Sequence, residues 1–199
     1  MDFKFVGKHF AQKTFEQMKE VLMDPKANAP EIFYYMVRGG IDQRNITVWE
    51  PGKVGGEYIK SYGHYHIGDL NETYWILFGE GVALLQKTKL NNDGKIVPDE
   101  ALEFRAIKVK AGDIVKIPKG FGHVFVNTGR TFFVTADDTD VLFDDETPQK
   151  YPGHTDYEAV KKMQGFAYYV IEENDLPALK KNKNYKSILK TDFGGLPVL

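Results

Sequence analysis

The chain has 199 residues, and its 26 Lys and Arg against 28 Asp and Glu give a formal net charge of −2. This length predicts one domain, and the near-neutral charge argues against a nucleic-acid-binding surface. The chain contains no cysteine, which excludes disulfides, iron–sulfur clusters and thiolate nucleophiles, so histidine, aspartate or glutamate must hold any metal. The N-terminal segment lacks the apolar core that is typical of a signal peptide, and no apolar run is long enough to span a membrane, so we expect a cytoplasmic protein.

The first predicted element is a short helix near the N-terminus. Thr14 and Gln17 have the spacing of a capping box, and apolar residues follow on one helical face. The helix should end before Asp24-Pro25, because the residue before a proline disfavours helical backbone. We therefore expect residues 1–30 to form a helical lead.

From Glu31 onward the chain consists of short segments rich in β-branched and aromatic residues. Glycine-containing turns separate about nine such segments, and Asn91-Asn92-Asp93-Gly94 is typical of a hairpin tip. Short strands at this spacing predict an all-β sandwich or barrel with short peripheral helices, rather than a βαβ fold.

The C-terminal part changes character again. An acidic insertion at 137–150 precedes a predicted short helix at 156–164, with Gly165 at its C-cap, and a last strand at 166–173. The basic tail that follows is expected to be a solvated helix or arm. We treat 1–199 as a single domain, with the lead at 1–30, the barrel and closing segment at 31–175 and the tail at 176–199.

One group of residues has the pattern of a metal site. In His64-Tyr65-His66 both imidazoles project to the same face if the segment is a strand. Glu72 begins the next apolar run, and His123 lies in a later one. Three imidazoles and one carboxylate form a complete protein shell for a divalent ion of the zinc, iron, nickel or manganese type. From spacing alone, two surface histidines remain the alternative.

Two longer segments carry a family resemblance. Residues 112–127, GDIVKIPKGFGHVFVN, resemble the second cupin motif, and residues 64–79, HYHIGDLNETYWILFG, resemble the first, with one extra residue between the second histidine and the glutamate. The resemblance implies a double-stranded β-helix, the cupin jelly-roll barrel, with a metal ion inside. The ligands that it implies are His64, His66, Glu72 and His123.

A narrower resemblance covers roughly residues 31–175. Residues 51–66, PGKVGGEYIKSYGHYH, resemble the signature of the archaeal-type, cupin-fold glucose-6-phosphate isomerases, and residues 152–174, PGHTDYEAVKKMQGFAYYVIEEN, resemble the closing segment of that family. This implies an enzyme of glycolysis and gluconeogenesis that interconverts glucose 6-phosphate and fructose 6-phosphate. It also implies a homodimer and a divalent ion, with Fe²⁺ favoured and Mn²⁺, Ni²⁺ or Zn²⁺ as alternatives.

The same resemblance assigns roles to single residues. Glu72 is both metal ligand and proton-transfer base, and His64 and Tyr74 complete the catalytic group. The substrate-binding residues that it implies are Thr47, Ser61 and Gly63 for the phosphate, and His154 and Tyr157 for the sugar. A further active-site tyrosine corresponds to Tyr34 or Tyr35.

Two other functions remain open at this point. The chain could be another metallocupin enzyme, either an isomerase of a different sugar phosphate or an oxygenase. It could also be a non-catalytic sugar-binding cupin that keeps the metal shell. An oxygenase has no need of the anion cradle formed by Thr47, Ser61 and Gly63, which favours the sugar-phosphate isomerase.

Overall fold

A computed structural model describes residues 9–39, 44–66, 70–139 and 155–199. The strands are His9–Thr14 (β1), Ile32–Arg38 (β2), Asn45–Trp49 (β3), Lys53–Val54 (β4), Glu57–Tyr58 (β5), His64–Tyr65 (β6), Glu72–Phe78 (β7), Glu80–Leu90 (β8), Ile96–Lys110 (β9), Ile114–Ile117 (β10), Phe121–Asn127 (β11), Phe133–Asp137 (β12), Tyr168–Glu173 (β13), Leu176–Lys181 (β14), Ser187–Ile188 (β15) and Thr191–Asp192 (β16). The helices are Phe15–Met18 (α1), which continues as a 3-10 turn at Lys19–Val21, and Glu158–Lys162 (α2). Neither is long enough to cross a membrane, and the described ranges contain no other helix.

The strands form three sheets. Sheet I has the order β1-β2-β3-β12-β7-β10, sheet II has the order β15-β9-β8-β11-β6 with β16 also on β9, and sheet III has the order β14-β13-β5-β4. Strands distant in sequence are neighbours in sheets I and II, as in β3-β12-β7 and β8-β11-β6. This confirms the predicted fold class, an all-β arrangement of sheets with short peripheral helices.

Sheets I and II pack face to face through aromatic side chains. The rings of Trp49 on β3 and Phe125 on β11 have centroids 6.1 Å apart, and those of Tyr74 on β7 and Phe125 are 4.4 Å apart. Burying such large apolar surfaces supplies the main stabilisation of a sandwich. The functional pocket lies at one end of this core.

Along sheet I the interior side chains change from apolar to polar. Trp49 and Phe133 pair across β3 and β12 and are almost fully buried, whereas Asn45, Asp137 and Tyr74 form a cross-strand row at the other end of the same strands. Because side chains alternate along a strand, both rows face the interior. The polar row therefore marks where the interior can hold a polar ligand.

Two expectations about the chain ends are wrong. The N-terminal lead is helical only at α1 and the following turn, although its capping box at Thr14 and Gln17 is confirmed; His9–Thr14 form a strand that pairs with β2. The basic tail is not a solvated arm, because Leu176–Lys181 pair with β13 and bury Ala178 and Leu179 completely. In both segments tertiary pairing overrides local composition.

A buried ion pair joins the N-terminal segment to sheet III. Lys60 Nζ lies 2.5 Å from Glu57 Oε1 and donates to the carbonyl of Val21 at 2.6 Å, while Glu57 Oε2 accepts from the backbone N–H of Met23 at 2.7 Å. Their side chains are only 5% and 1% exposed. Burial raises the pKa of Glu57, and the charge of Lys60 opposes this. The pair therefore holds the N-terminal segment, at Val21 and Met23, against sheet III.

We expect Lys60→Met to destabilise the protein by about 3–5 kcal/mol, because it leaves the Glu57 carboxylate buried without a cation. The free energy of unfolding, measured by urea titration, tests this. Lys89→Met is the matched control: Lys89 forms an exposed pair with Glu100 at 2.7 Å, and its loss should cost less than about 1 kcal/mol. Equal losses in the two variants would contradict a buried, stabilising pair.

Candidate metal centre and its pocket

The three histidines of the predicted site come from adjacent parts of sheet II. His64 on β6 pairs directly with His123 on the antiparallel strand β11, and His66 directly follows β6. Glu72 is the first residue of β7 in the facing sheet I. The structure therefore brings all four predicted ligands together from two sheets.

Two glycines allow β6 and β11 to approach closely enough for this pairing. A Cβ atom on Gly63, where φ is +82°, would lie 2.4 Å from Val124 Cγ2. A Cβ on Gly122 would lie 2.5 Å from the carbonyl oxygen of His64. Both distances are shorter than a non-bonded contact permits, so Gly63 has a packing role besides the anion-binding role that the family resemblance implies.

The ring nitrogens of the three histidines meet at one point. Nε2 of His64 lies 3.1 Å from Nε2 of His66 and 3.2 Å from Nε2 of His123, and the last two are 3.3 Å apart. Glu72 Oε2 lies 3.3 Å from His66 Nε2 and 3.0 Å from His123 Nε2. His64, His66 and His123 each offer one ring nitrogen, and the three nitrogens lie close enough together to hold a metal ion.

Hydrogen bonding cannot satisfy this arrangement. A hydrogen bond between two ring nitrogens needs one N–H and one lone pair. Among three nitrogens in mutual contact at least two are in the same state, so at least one contact is repulsive. A shared cation removes the conflict, because all three lone pairs can then point to it. Ligand atoms bound about 2.0–2.2 Å from one ion lie about 3.0–3.5 Å apart, which fits the observed distances.

The charge states of the site also suit a cation. Burial and the neighbouring imidazoles of His123 and His66 hold the pKa of His64 well below its ordinary value, so His64 is neutral at neutral pH. Burial raises the pKa of Glu72, but the facing imidazoles outweigh it, and the net pKa lies well below the ordinary value. A neutral imidazole and an ionised carboxylate are the forms that bind metal ions.

The second oxygen of Glu72 is held by a separate hydrogen-bonded bracket. Thr139 Oγ1 donates to Glu72 Oε1. Thr139 is itself held by Asp137, whose Oδ1 accepts from the Thr139 N–H at 3.2 Å, and by Asn45, which donates to the Thr139 carbonyl at 2.9 Å. Asn45 also donates to Asp137 Oδ1 at 2.7 Å. Sequence reasoning missed this bracket.

The outer sides of the imidazoles are held by packing. Nδ1 of His66 and Nδ1 of His123 are buried and have no hydrogen-bond partner among the described residues. The ring of His123 packs on Tyr74 with centroids 5.2 Å apart. Ring contacts therefore do much of the orienting that a hydrogen bond to Nδ1 commonly does.

A cavity of about 220 Å³ opens beside the four residues. Five residues to which the family resemblance gives binding or catalytic roles line it: Thr47, Ser61, Gly63, Tyr74 and Tyr157. The Ser61 hydroxyl oxygen accepts from the N–H of Phe125 at 3.0 Å. Its proton is therefore free to point to an anion in the cavity.

Of the two tyrosines that could be the further active-site tyrosine, one lines the cavity and the other does not. Tyr34 lines the cavity, and its hydroxyl accepts from the N–H of Tyr62 at 3.3 Å, whereas Tyr35 donates to Glu50 Oε1 at 3.0 Å. Of the two candidates, Tyr34 is thus the one that faces the site. Burial and the charge of Glu72 raise the pKa of Tyr74 well above its ordinary value, so Tyr74 remains a hydrogen-bond donor.

Two expectations concern residues beyond the described ranges. His154 and most of the acidic insertion at 137–150 lie outside the described residues. From the first part of that insertion, Asp137 and Thr139 line the cavity, and Asp138 accepts from the backbone N–H of Thr73 at 2.7 Å.

Comparison with known proteins agrees with the site. The sequence model of the glucose-6-phosphate isomerase family matches residues 35–187. The glucose-6-phosphate isomerase of Thermococcus litoralis is 33% identical over 141 residues, which are 70% of this chain and 62% of that protein. The enzyme of Thermococcus onnurineus is 34% identical over 145 residues, 71% of this chain and 63% of that protein. The chain thus covers less than two thirds of the length of these relatives.

Among solved structures, the chain is similar to the capsular polysaccharide assembling protein CapF of Staphylococcus aureus, with 18% identity and a TM-score of 0.44 over 77% of this chain and 33% of that one. The family match spans more than half of the chain, and it includes all four residues whose ligand atoms converge. The chain therefore belongs to the glucose-6-phosphate isomerase family.

Proposed function

We propose that the chain is an aldose–ketose isomerase that interconverts glucose 6-phosphate and fructose 6-phosphate. The observation that carries this proposal is the convergence of three imidazole nitrogens and one carboxylate oxygen beside a cavity, in a chain of the glucose-6-phosphate isomerase family. The reaction moves hydrogen between C1 and C2 of the open-chain sugar. It needs a polariser for two oxygens, a base and a site for the phosphate.

In this proposal His64, His66, Glu72 and His123 hold one divalent ion. Fe²⁺ is favoured by the family resemblance, and Mn²⁺, Ni²⁺ and Zn²⁺ are alternatives that imidazole and carboxylate ligands also accept. When bound, such an ion supplies Lewis-acid polarisation of the O1 and O2 oxygens of the sugar.

Glu72 is the proposed proton-transfer group. Its Oε2 faces the imidazoles, so Oε1, which accepts from Thr139, is the oxygen left to exchange a proton with C1 or C2. The low pKa of Glu72 keeps it ionised and also makes it a weak base. A hydride shift between the two carbons is the alternative route: it needs no base at carbon, but a proton must still pass between the O2 and O1 oxygens of the sugar.

The remaining residues bind and orient the substrate. Thr47, Ser61 and Gly63 are proposed to hold the phosphate through hydroxyl and backbone donors. Tyr74 is a neutral phenol beside Glu72, and Tyr157 packs its ring 5.4 Å from that of His64. We place His154 with Tyr157 on the sugar, as the family resemblance implies.

We further propose a cytoplasmic homodimer. Apolar side chains exposed on or beside sheet I support a second copy as the partner; they are Leu77, Phe78, Ile114 and Phe132. Exposed apolar side chains on a sheet are a common feature of protein interfaces.

The proposed activity predicts that the purified chain converts fructose 6-phosphate to glucose 6-phosphate. A coupled assay that reduces a nicotinamide cofactor as glucose 6-phosphate forms measures this. EDTA should abolish the activity, and added Fe²⁺ or Mn²⁺ should restore it. No turnover with any of the four ions would instead favour a different substrate or a non-catalytic cupin.

The double variant His64→Ala/His123→Ala should lose the metal ion and the activity while keeping the fold, since both side chains lie at the end of the core. Metal analysis by mass spectrometry should give about one equivalent per wild-type chain and little in the variant. Circular dichroism checks the fold. Full turnover of this variant in the presence of chelator would rule out the metal-dependent mechanism.

Replacing Ser61 by alanine should raise KM for fructose 6-phosphate about tenfold with little change in kcat, because the lost hydroxyl binds substrate and transition state alike. Steady-state kinetics measures both constants. Ser61→Thr keeps the hydroxyl and is the matched control, with near wild-type KM. An unchanged KM in Ser61→Ala would remove Ser61 from the phosphate site.

A further inference from the structure

Arg38 occupies a position in the site that the family resemblance does not assign. Tyr34, Met36 and Arg38 alternate along β2, and all three line the cavity. Their alternation directs the three side chains to the interior face of sheet I. Within the described ranges, Arg38 is the one lysine or arginine that lines this cavity.

Among the described residues, the guanidinium of Arg38 leaves most of its N–H donors without a partner. In the described part of the chain it forms no ion pair, and its side chain makes one hydrogen bond, from Nη2 to Met36 Sδ at 3.4 Å. A thioether sulfur is a weak acceptor, whereas guanidinium offers five N–H donors. Arg38 is also half-buried, so water solvates it only in part.

Of the residues described, the two carboxylates that line the same cavity form no ion pair with Arg38. Asp137 accepts from Asn45 and from the N–H of Thr139, and Glu72 faces the histidines and Thr139. Burial raises the pKa of Asp137 to about 6, with the charge of Glu72 adding to this, while the charge of Arg38 opposes it. Arg38 therefore acts electrostatically on the site without pairing with these carboxylates.

Arg38 also lies next to the proposed phosphate cradle. The register of β2 and β3 pairs Met36 with Thr47 and Val37 with Ile46. Continued by one residue, it sets Arg38 opposite Asn45, with Thr47 as its diagonal neighbour on the same face. Long side chains reach across such diagonal positions. The cradle residues Thr47, Ser61 and Gly63 offer hydroxyl and backbone donors but no positive charge.

We propose that Arg38 binds the phosphate group of the substrate and supplies the positive charge that the hydroxyl and backbone cradle lacks. This inference rests on the proposed function, since it takes a phosphorylated sugar as the ligand. A planar guanidinium suits a phosphate because two parallel N–H groups can bind two of its oxygens.

The test is calorimetric titration of the metal-loaded protein with glucitol 6-phosphate, which has no carbonyl and cannot isomerise. Free glucitol and inorganic phosphate are titrated separately. Arg38→Met should bind glucitol 6-phosphate about 10- to 100-fold more weakly than the wild type. Arg38→Lys should retain more affinity than Arg38→Met, and weak inorganic phosphate binding should fall in the same order. Affinity for free glucitol should not change.

Arg44→Met is the matched control. The Arg44 guanidinium lies over the ring of Trp75, 3.5 Å from its centroid, and neither residue lines the cavity. This variant should bind glucitol 6-phosphate as the wild type does. Thermal unfolding checks that each variant is folded, and Arg38→Gln replaces Arg38→Met if the latter is not.

The inference is overturned if Arg38→Met binds glucitol 6-phosphate within twofold of the wild type, if it weakens free glucitol equally, or if the wild type binds neither phosphate compound. Its failure is separable from that of the proposed function. Arg38-dependent phosphate binding without isomerisation of fructose 6-phosphate would refute the activity alone. Isomerisation with an unchanged Kd and KM in Arg38→Met would refute the role of Arg38 alone.

Discussion

Three imidazole nitrogens face one another at 3.1–3.3 Å inside this protein, and no distribution of protons satisfies all three contacts. The surrounding structure fixes the three rings in this repulsive arrangement. Gly63 and Gly122 allow β6 and β11 to pack without a Cβ between them, and the pairing of His64 with His123 follows. Glu72 completes the group from the opposite sheet. An arrangement that is repulsive without a cation and favourable with one is a strong constraint on what the site can do.

The polar contacts of Glu72 divide between its two oxygens. Oε2 lies among the histidines, and Oε1 accepts from Thr139, which Asp137 and Asn45 hold in place. This bracket orients the carboxylate from the side away from the imidazoles. Glu72 is thus oriented by two strands of sheet I, β3 and β12, besides the one that carries it. The proposed proton transfer depends on this orientation because a base must point at the proton that it removes.

The sequence predicted the ligands better than it predicted their support. His64 and His66 at alternate positions, the glycines and Glu72 form short motifs, and the structure brings these residues together. Thr139 has no such signal, because it follows the last barrel strand at the start of the acidic insertion, and only the fold brings it to Glu72. Arg38 could be found from the alternation of Tyr34, Met36 and Arg38, but only once the interior face of β2 is known. The prediction of a solvated basic tail is wrong because it follows from the lysines, which dominate the composition, whereas the buried Ala178 and Leu179 determine the structure of this segment.

The four converging residues come from both sheets of the sandwich: three from β6, β11 and the residue after β6 in sheet II, and one from β7 in sheet I. An ion held among them would therefore cross-link the two sheets at one end of the core. Ion binding and folding would then be thermodynamically linked. An ion that binds only the folded chain raises the melting temperature as the ion concentration rises above Kd. Core substitutions that change the spacing of the sheets, for example at Phe125 between Trp49 and Tyr74, would alter affinity for the ion without replacing a ligand.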